Sequence, residues 1–218
     1  MGQLLLVRHG QASFGSEDYD ALSPLGFEQS RMLGEALRDR GIVADAVVHG
    51  SMRRHRETAQ TCAQAAGWSA VPTVDAGWDE FDFLSVLAVH PHEYGSEPTK
   101  AQFQLIFEEA TGAWIAGADR RYAETFAGFS ARVHEALERT RELAADATVA
   151  VFTSGGPIGW AVAEVLAEGG HPDLWTRLNR MAVNSALTRL VAGSRGLNLL
   201  TYNDQSHLDG VDGAVTYR

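Results

Sequence analysis

The chain has 218 residues, 45% of them apolar and 21% charged, with one cysteine and a net charge of −10. It is long enough to bury a substantial core as one large domain or two small ones, and too apolar for a disordered chain. The negative charge argues against a nucleic-acid partner, so any anionic ligand must be held by a local basic patch.

Residues 3–8 (QLLLVR) read as a short apolar strand. The N-terminal MGQLLLVRHG has neither the basic region nor the small-residue cleavage site of a signal peptide. Ser23-Pro24 opens a helix that Gly41 ends. Residues 45–49 (DAVVH) make a second strand, and RRHRETAQTCAQAA a helix closed by Gly67. Cys62, among alanines on that helix, reads as a buried structural thiol, and a lone cysteine suits a reducing cytoplasm. A brief strand near 70–74 follows. The stretch 78–123 is less regular, with a helix around 99–116. Residues 124–145 read as a long amphipathic helix, with Phe129, Val133, Leu137 and Ala144 near one face. A strand at 148–153 precedes a helix from Pro157 to about Ala167 and another around 173–181. Two apolar runs, 185–192 and 197–202, separated by Gly-Ser-Arg-Gly, read as a hairpin. No run approaches 18 consecutive apolar residues, so no membrane span is expected. The alternation predicts an α/β fold, a doubly wound three-layer sandwich with a mainly parallel sheet and an antiparallel edge.

Ligands of such sheets collect outside the carboxyl ends of the strands. Three strand ends are informative: Val7-Arg8-His9-Gly10-Gln11, then His49-Gly50-Ser51 with Arg53 and Arg54 just beyond, and Thr153-Ser154-Gly155-Gly156. A strand feeding a glycine turn and a helix N-terminus, as in VAVFTSGGPIG, suits an anion. Arginine matches phosphate oxygens in a bidentate way. A neutral imidazole beside arginines can attack phosphorus. Together these groups predict phosphoryl transfer through a phosphohistidine.

LLLVRHGQ resembles the Arg-His-Gly signature of the histidine phosphatase superfamily, the group that contains cofactor-dependent phosphoglycerate mutases, and the resemblance runs over nearly the whole chain. LSPLGFEQSRMLGEAL resembles the family's first helix. GSMRRHRETA resembles its Ser-Pro-Leu-x-Arg-Ala-x-x-Thr-Ala element, with Gly50-Ser51-Met52 in place of Ser-Pro-Leu. Trp78-Asp79-Glu80 is similar to the Leu-x-Glu element that carries the proton donor, and Glu124, Arg132, Asn203-Asp204 and His207-Leu208 also have counterparts in the family. The resemblance implies a phosphoglycerate mutase-like fold over 1–218, with a substrate-cap insertion around 81–123. It implies His9 as nucleophile, Arg8 and Arg54 as phosphate ligands, Glu80 as proton donor, and Gly10, Gln11, Ser154 and Gly155 as substrate contacts. No metal and no cofactor are implied. The partner expected is a small phosphorylated substrate, with a homo-oligomer left open and no membrane. One departure stands out: the family's second histidine, normally in a Ser-His-Gly-Gly context, is Ser154 here.

Blander readings stand beside these. His9 can be a structural histidine, Arg53 and Arg56 a solvated helix face, Glu80 a surface carboxylate, and Ser154 only a helix N-cap. Trp78, Phe81, Phe83 and Trp114 read as core or as an apolar mouth. His90-Pro91-His92 lacks a third metal ligand. Three functions follow in order: a phosphatase for a small phosphomonoester, slow if serine only partly replaces an imidazolium; a non-catalytic phospho-ligand binder; and a phosphoglycerate mutase. Phe81-Asp82-Phe83 speaks against the last, because acidic side chains repel a doubly phosphorylated ligand.

Overall fold

A computed structural model describes residues 2–13, 20–90, 99–118, 121–193 and 196–217. Six strands form one sheet: β1 (Gln3–Arg8), β2 (Ala46–His49), β3 (Thr73–Val74), β4 (Thr148–Thr153), β5 (Leu187–Gly193) and β6 (Gly196–Asp204). Their order is β3-β2-β4-β1-β5-β6. The first four run parallel, and β5 runs antiparallel to both of its neighbours. This is the expected α/β sheet, mostly parallel with an antiparallel edge. Leu4, Leu5, Leu6 and Val7 are all fully buried. A central parallel strand covered on both faces must be apolar throughout, which is why LLLV does not alternate.

Seven α-helices occur among the described residues: α1 (Pro24–Asp39), α2 (Arg53–Ala66), α3 (Phe83–Val89), α4 (Lys100–Ile115), α5 (Phe126–Leu143), α6 (Gly155–Leu166) and α7 (Pro172–Asn179). Ser23 caps α1, its hydroxyl accepting from the Gly26 amide at 3.0 Å, with Pro24 in the first turn as its sequence predicts. Leu33 and Leu37 of α1 and Ala59, Cys62, Ala63 and Ala66 of α2 pack on Leu5, Val7, Val47, Ala150 and Phe152, filling one face of the sheet. Cys62 lies in this core, where burial pushes its thiol pKa up.

Three differences from the expected elements bear on the site and its surroundings. The strand expected at 70–74 contracts to two residues. Helix α6 starts at Gly155, two residues earlier than expected; Pro157 fits within the first turn because amides there need no intrahelical partner. The stretch after Glu80 holds an unforeseen short helix, α3, capped by Asp82, which accepts from the Ser85 amide at 3.1 Å.

The chain divides into two units, residues 1–80 with 133–218, and residues 81–132. The second unit has its own aromatic core: Phe81 stacks on Trp114 with centroids 4.7 Å apart, and Phe126 and Phe129 meet the same indole at 5.1 and 5.7 Å. Phe81 and Trp114 are therefore core, and in the first unit Trp78 is fully buried too. No described helix is long and apolar enough to cross a membrane.

Candidate functional site

Parallel register brings three strand ends to one edge of the first unit. Arg8 pairs with Thr153 across β1 and β4, and His49 with Phe152 across β2 and β4. The next residues, His9, Gly50 and Ser154, therefore leave the sheet side by side. The His9 backbone is fixed on both sides. Its amide donates to the Thr153 carbonyl at 2.8 Å, and its carbonyl accepts from the Ser185 amide and the Asn184 side chain, each at 3.2 Å. Ser185 is in turn tied to His207, Oγ to Nε2 at 2.8 Å.

The His9 ring is 2.7 Å from the Gly10 carbonyl through Nδ1. A carbonyl only accepts, so Nδ1 carries the proton and the lone pair of a neutral ring lies on Nε2. Burial, then the charges of Arg54, Arg8 and His55, hold the pKa of His9 well below its ordinary 6.5. The ring is therefore uncharged at neutral pH, with the Nε2 lone pair unprotonated.

Two arginines flank it. Arg54, in the first turn of α2, is buried apart from a sliver and donates to Asp20 at 2.7 Å. Arg8 donates to the Ala182 carbonyl and, at 3.0 Å, to the Tyr217 carbonyl. Thr58, one turn beyond Arg54, accepts from the Gly10 amide at 3.0 Å and donates to the Arg54 carbonyl at 2.7 Å. The strand end and the arginine helix are thus locked together.

Glu80 reaches the start of α6. The Thr153 hydroxyl donates to the Trp78 carbonyl, and the Trp78 indole donates to Thr140 at 3.1 Å, which holds the segment leading to Glu80. The Glu80 carboxylate accepts from the Gly156 amide at 3.1 Å, at the positive end of α6. Ser154 occupies the N-cap position of α6, yet its side chain makes no capping bond. That reading is corrected: Ser154 Oγ lies 2.7 Å from Nε2 of His55 instead. The amide of Gly155 follows directly, and a Cβ on that glycine would stand 3.8 Å from Arg8 Nε. Gly10 and Gln11 pack against the start of α1. A Cβ on Gly10 would come within 2.3 Å of the Gly26 carbonyl, and the Gln11 side chain accepts from the Ser23 hydroxyl at 2.8 Å. Pro91 and His92 lie outside the described residues, and His90 is 3.8 Å from Glu109 within the second unit. There too, Glu124 forms a two-pronged ion pair with Arg132, at 2.8 and 2.9 Å.

Sequence reasoning singled out neither Asp20 nor His55. His55 is fully buried, 5.7 Å from His9 between ring centroids, and its pKa is lowered first by burial and then by Arg54 and His49. A signal for it existed: positions 55, 59, 62 and 66 share one helix face, and three of them are Ala59, Cys62 and Ala66. The run of charges around it, Arg53-Arg54-His55-Arg56-Glu57, masked that spacing. Asp20 offers no comparable pattern, because it meets Arg54 only through the loop before α1.

Comparison with known proteins identifies the family and the fold. A 2,3-bisphosphoglycerate-dependent phosphoglycerate mutase of Rhizobium meliloti is 36% identical over 90 residues, 38% of this chain and 42% of that protein. A broad-specificity phosphatase of Saccharomyces cerevisiae is 35% identical over 78 residues, 33% of this chain and 34% of that protein. The chain thus matches less than half the length of either curated relative. Among solved structures, a mutant phosphoserine phosphatase from Entamoeba histolytica in complex with phosphoserine superposes with a TM-score of 0.70 at 17% identity, over 95% of this chain and 100% of that one, a likeness of fold. Residues 4–205 match the histidine phosphatase superfamily (branch 1), and with the fold in agreement the chain belongs to that superfamily.

Proposed function

We propose that the protein is a phosphatase that hydrolyses a small phosphomonoester through a phosphohistidine on His9. The observation that carries this reading is the state of that ring: neutral, with its proton held on Nδ1 by the Gly10 carbonyl and its Nε2 left to attack. A pure binder needs no such nucleophile. The names of the two partly matching relatives do not choose between phosphatase and mutase, since each activity occurs once. The sequence Phe81-Asp82-Phe83 supports the phosphatase over the mutase, because acidic residues disfavour a bisphosphorylated ligand.

In the first half-reaction the Nε2 lone pair forms a bond to phosphorus while the ester P–O bond breaks. Arg8 and Arg54 balance the charge on the transferred group. Glu80 gives its proton to the leaving oxygen, which departs as an alcohol. Glu80, held at the Gly156 amide, lies beside the transferred group, where a second negative charge is unfavourable. In the second half-reaction water attacks phosphorus, Glu80 takes the water's proton, the P–N bond breaks and inorganic phosphate leaves. Ser154 stands where the family's second histidine is expected, and its hydroxyl donates to the phosphoryl oxygens.

The test is release of inorganic phosphate from p-nitrophenyl phosphate and from a panel of alkyl and sugar phosphates. The parent protein should turn over at least one of them and His9→Ala none. Equal release by both proteins would refute the reading.

A further inference from the structure

Three positions at which this chain departs from the pattern it resembles meet at one side chain. The element matched by residues 50–59 has serine at its first position and alanine after its arginine; here these are Gly50 and His55. The turn after β4 has Ser154 where a histidine is expected. The imidazole of His55 touches both other sites. Its Nε2 is 2.7 Å from Ser154 Oγ, and a Cβ on residue 50 would lie 2.3 Å from its Nδ1 and 3.0 Å from its Cε1. The ring fits only because residue 50 has no side chain. Set against the pattern the chain resembles, the segment after β4 lacks an imidazole, the adjoining helix carries one, and a glycine at a third position leaves the space for it.

The arrival is not a matter of packing. An alanine or leucine would fill a fully buried position on the inner face of α2 at lower cost than an imidazole, whose two nitrogens need partners. One nitrogen has Ser154. The other, Nδ1, is buried without a hydrogen bond, 3.9 Å from the Asp79 carboxylate. Asp79 is anchored by the Ser51 amide and hydroxyl, each at 2.5 Å.

We propose that His55 is the pocket's second imidazole, supplied by α2 rather than by the turn after β4, and that it orients the Ser154 hydroxyl as a donor to the transferring phosphoryl group. The proposal rests on the phosphohistidine reading above. A serine hydroxyl has a single proton. When Nε2–H of His55 donates to Ser154 Oγ, that proton is released to face a phosphoryl oxygen, and the chained bonds strengthen each other. A dianionic group beside the ring favours its protonated form, and Asp79 then stands opposite the proton on Nδ1. His55 acts through Ser154, so it is a positioning residue, and Ser154 is the group that touches substrate.

The experiment measures the single-turnover rate of His9 phosphorylation by p-nitrophenyl phosphate in the parent, His55→Ala, His55→Gln, Ser154→Ala, the double alanine variant and the exchange variant His55→Ala/Ser154→His. Circular dichroism and the urea midpoint report folding for each. Loss of one oriented donor costs roughly 10²–10³-fold in comparable sites, so His55→Ala and Ser154→Ala should each slow transfer by about that factor. The double alanine variant should be no slower than either alone, since the two residues act as one unit. His55→Gln retains an N–H near the place of Nε2 and should recover about tenfold relative to His55→Ala. The exchange variant, which moves the imidazole back to the turn, should do at least as well. Because it removes the buried ring and its unpaired nitrogen together, it keeps the test available if His55→Ala does not fold. A His55→Ala protein that phosphorylates His9 within about threefold of the parent would overturn the inference. So would independent, multiplying losses, or an exchange variant that is folded and as slow as Ser154→Ala. A parent never phosphorylated on His9 would instead overturn the reading beneath it.

Discussion

Glu80→Gln separates proton donation from every other role of that side chain. Glutamine keeps an oxygen that can accept from the Gly156 amide, now at 3.1 Å from the carboxylate, so the local backbone contact survives. What is lost is an ionisable carboxyl, which carries a transferable proton in one state and a negative charge in the other. General acid catalysis contributes about 10²–10⁴-fold, and it matters only when the leaving oxygen needs the proton. An alkoxide is a poor leaving group and nitrophenolate a good one. The kcat for an alkyl phosphate should therefore fall by about 10²–10⁴-fold, and that for p-nitrophenyl phosphate by less than about tenfold. KM should not rise for either, because removing a carboxylate beside the phosphoryl position relieves repulsion. The assay is steady-state phosphate release with both substrate types on the same protein preparations. Equal losses for the two leaving groups would remove Glu80 from the acid role and leave it as a structural cap of α6.

Three other outcomes follow from the same geometry. The pKa values of buried His9 and His55 are pushed down, so below pH 6.5 the unfolded chain binds protons that the folded one refuses. Urea unfolding should show stability falling with pH by up to about 1.4 kcal/mol per unit for each ring, and His55→Gln should remove one such share; a slope that is flat between pH 7 and 5.5 would contradict this. Asp20→Asn releases Arg54 from a partner 2.7 Å away, half-exposed on the aspartate side, so inorganic phosphate should bind about two- to fivefold more tightly by calorimetry, and weaker binding would count against Arg54 as a ligand. Gly10→Ala forces a methyl to within 2.3 Å of the Gly26 carbonyl and should cost about 1–3 kcal/mol in urea unfolding, with kcat reduced because His9 moves; an unchanged midpoint would show that α1 yields freely.

Much of this was legible in the chain. The buried run Leu4–Val7 and the Ser23-Pro24 helix start are local signals, each tied to one backbone requirement, and both elements lie where they pointed, whereas the glycines after β4 open α6 rather than form a separate turn before Pro157. Helix α3 was not legible: seven residues are too few for a periodic pattern, and its start depends on one aspartate cap. At the site, residues at strand ends could be grouped because parallel strands deliver them to one edge. His55 and Asp20 could not, since their roles arise from contacts 99 residues away at Ser154 and 34 residues away at Arg54. The serine at 154 looked like a deficit in the sequence. Only the fold puts an imidazole 2.7 Å from it.

The central claim is a covalent bond between phosphorus and one nitrogen of one ring. Protein quenched in alkali during turnover of p-nitrophenyl phosphate should carry one acid-labile, base-stable phosphate. Peptide mapping should place it on His9, and nitrogen–phosphorus correlation by NMR should place it on Nε2, because Nδ1 is engaged with the Gly10 carbonyl at 2.7 Å. Phosphate on Nδ1, on His49 or His55, or on a serine such as Ser154 would contradict the account.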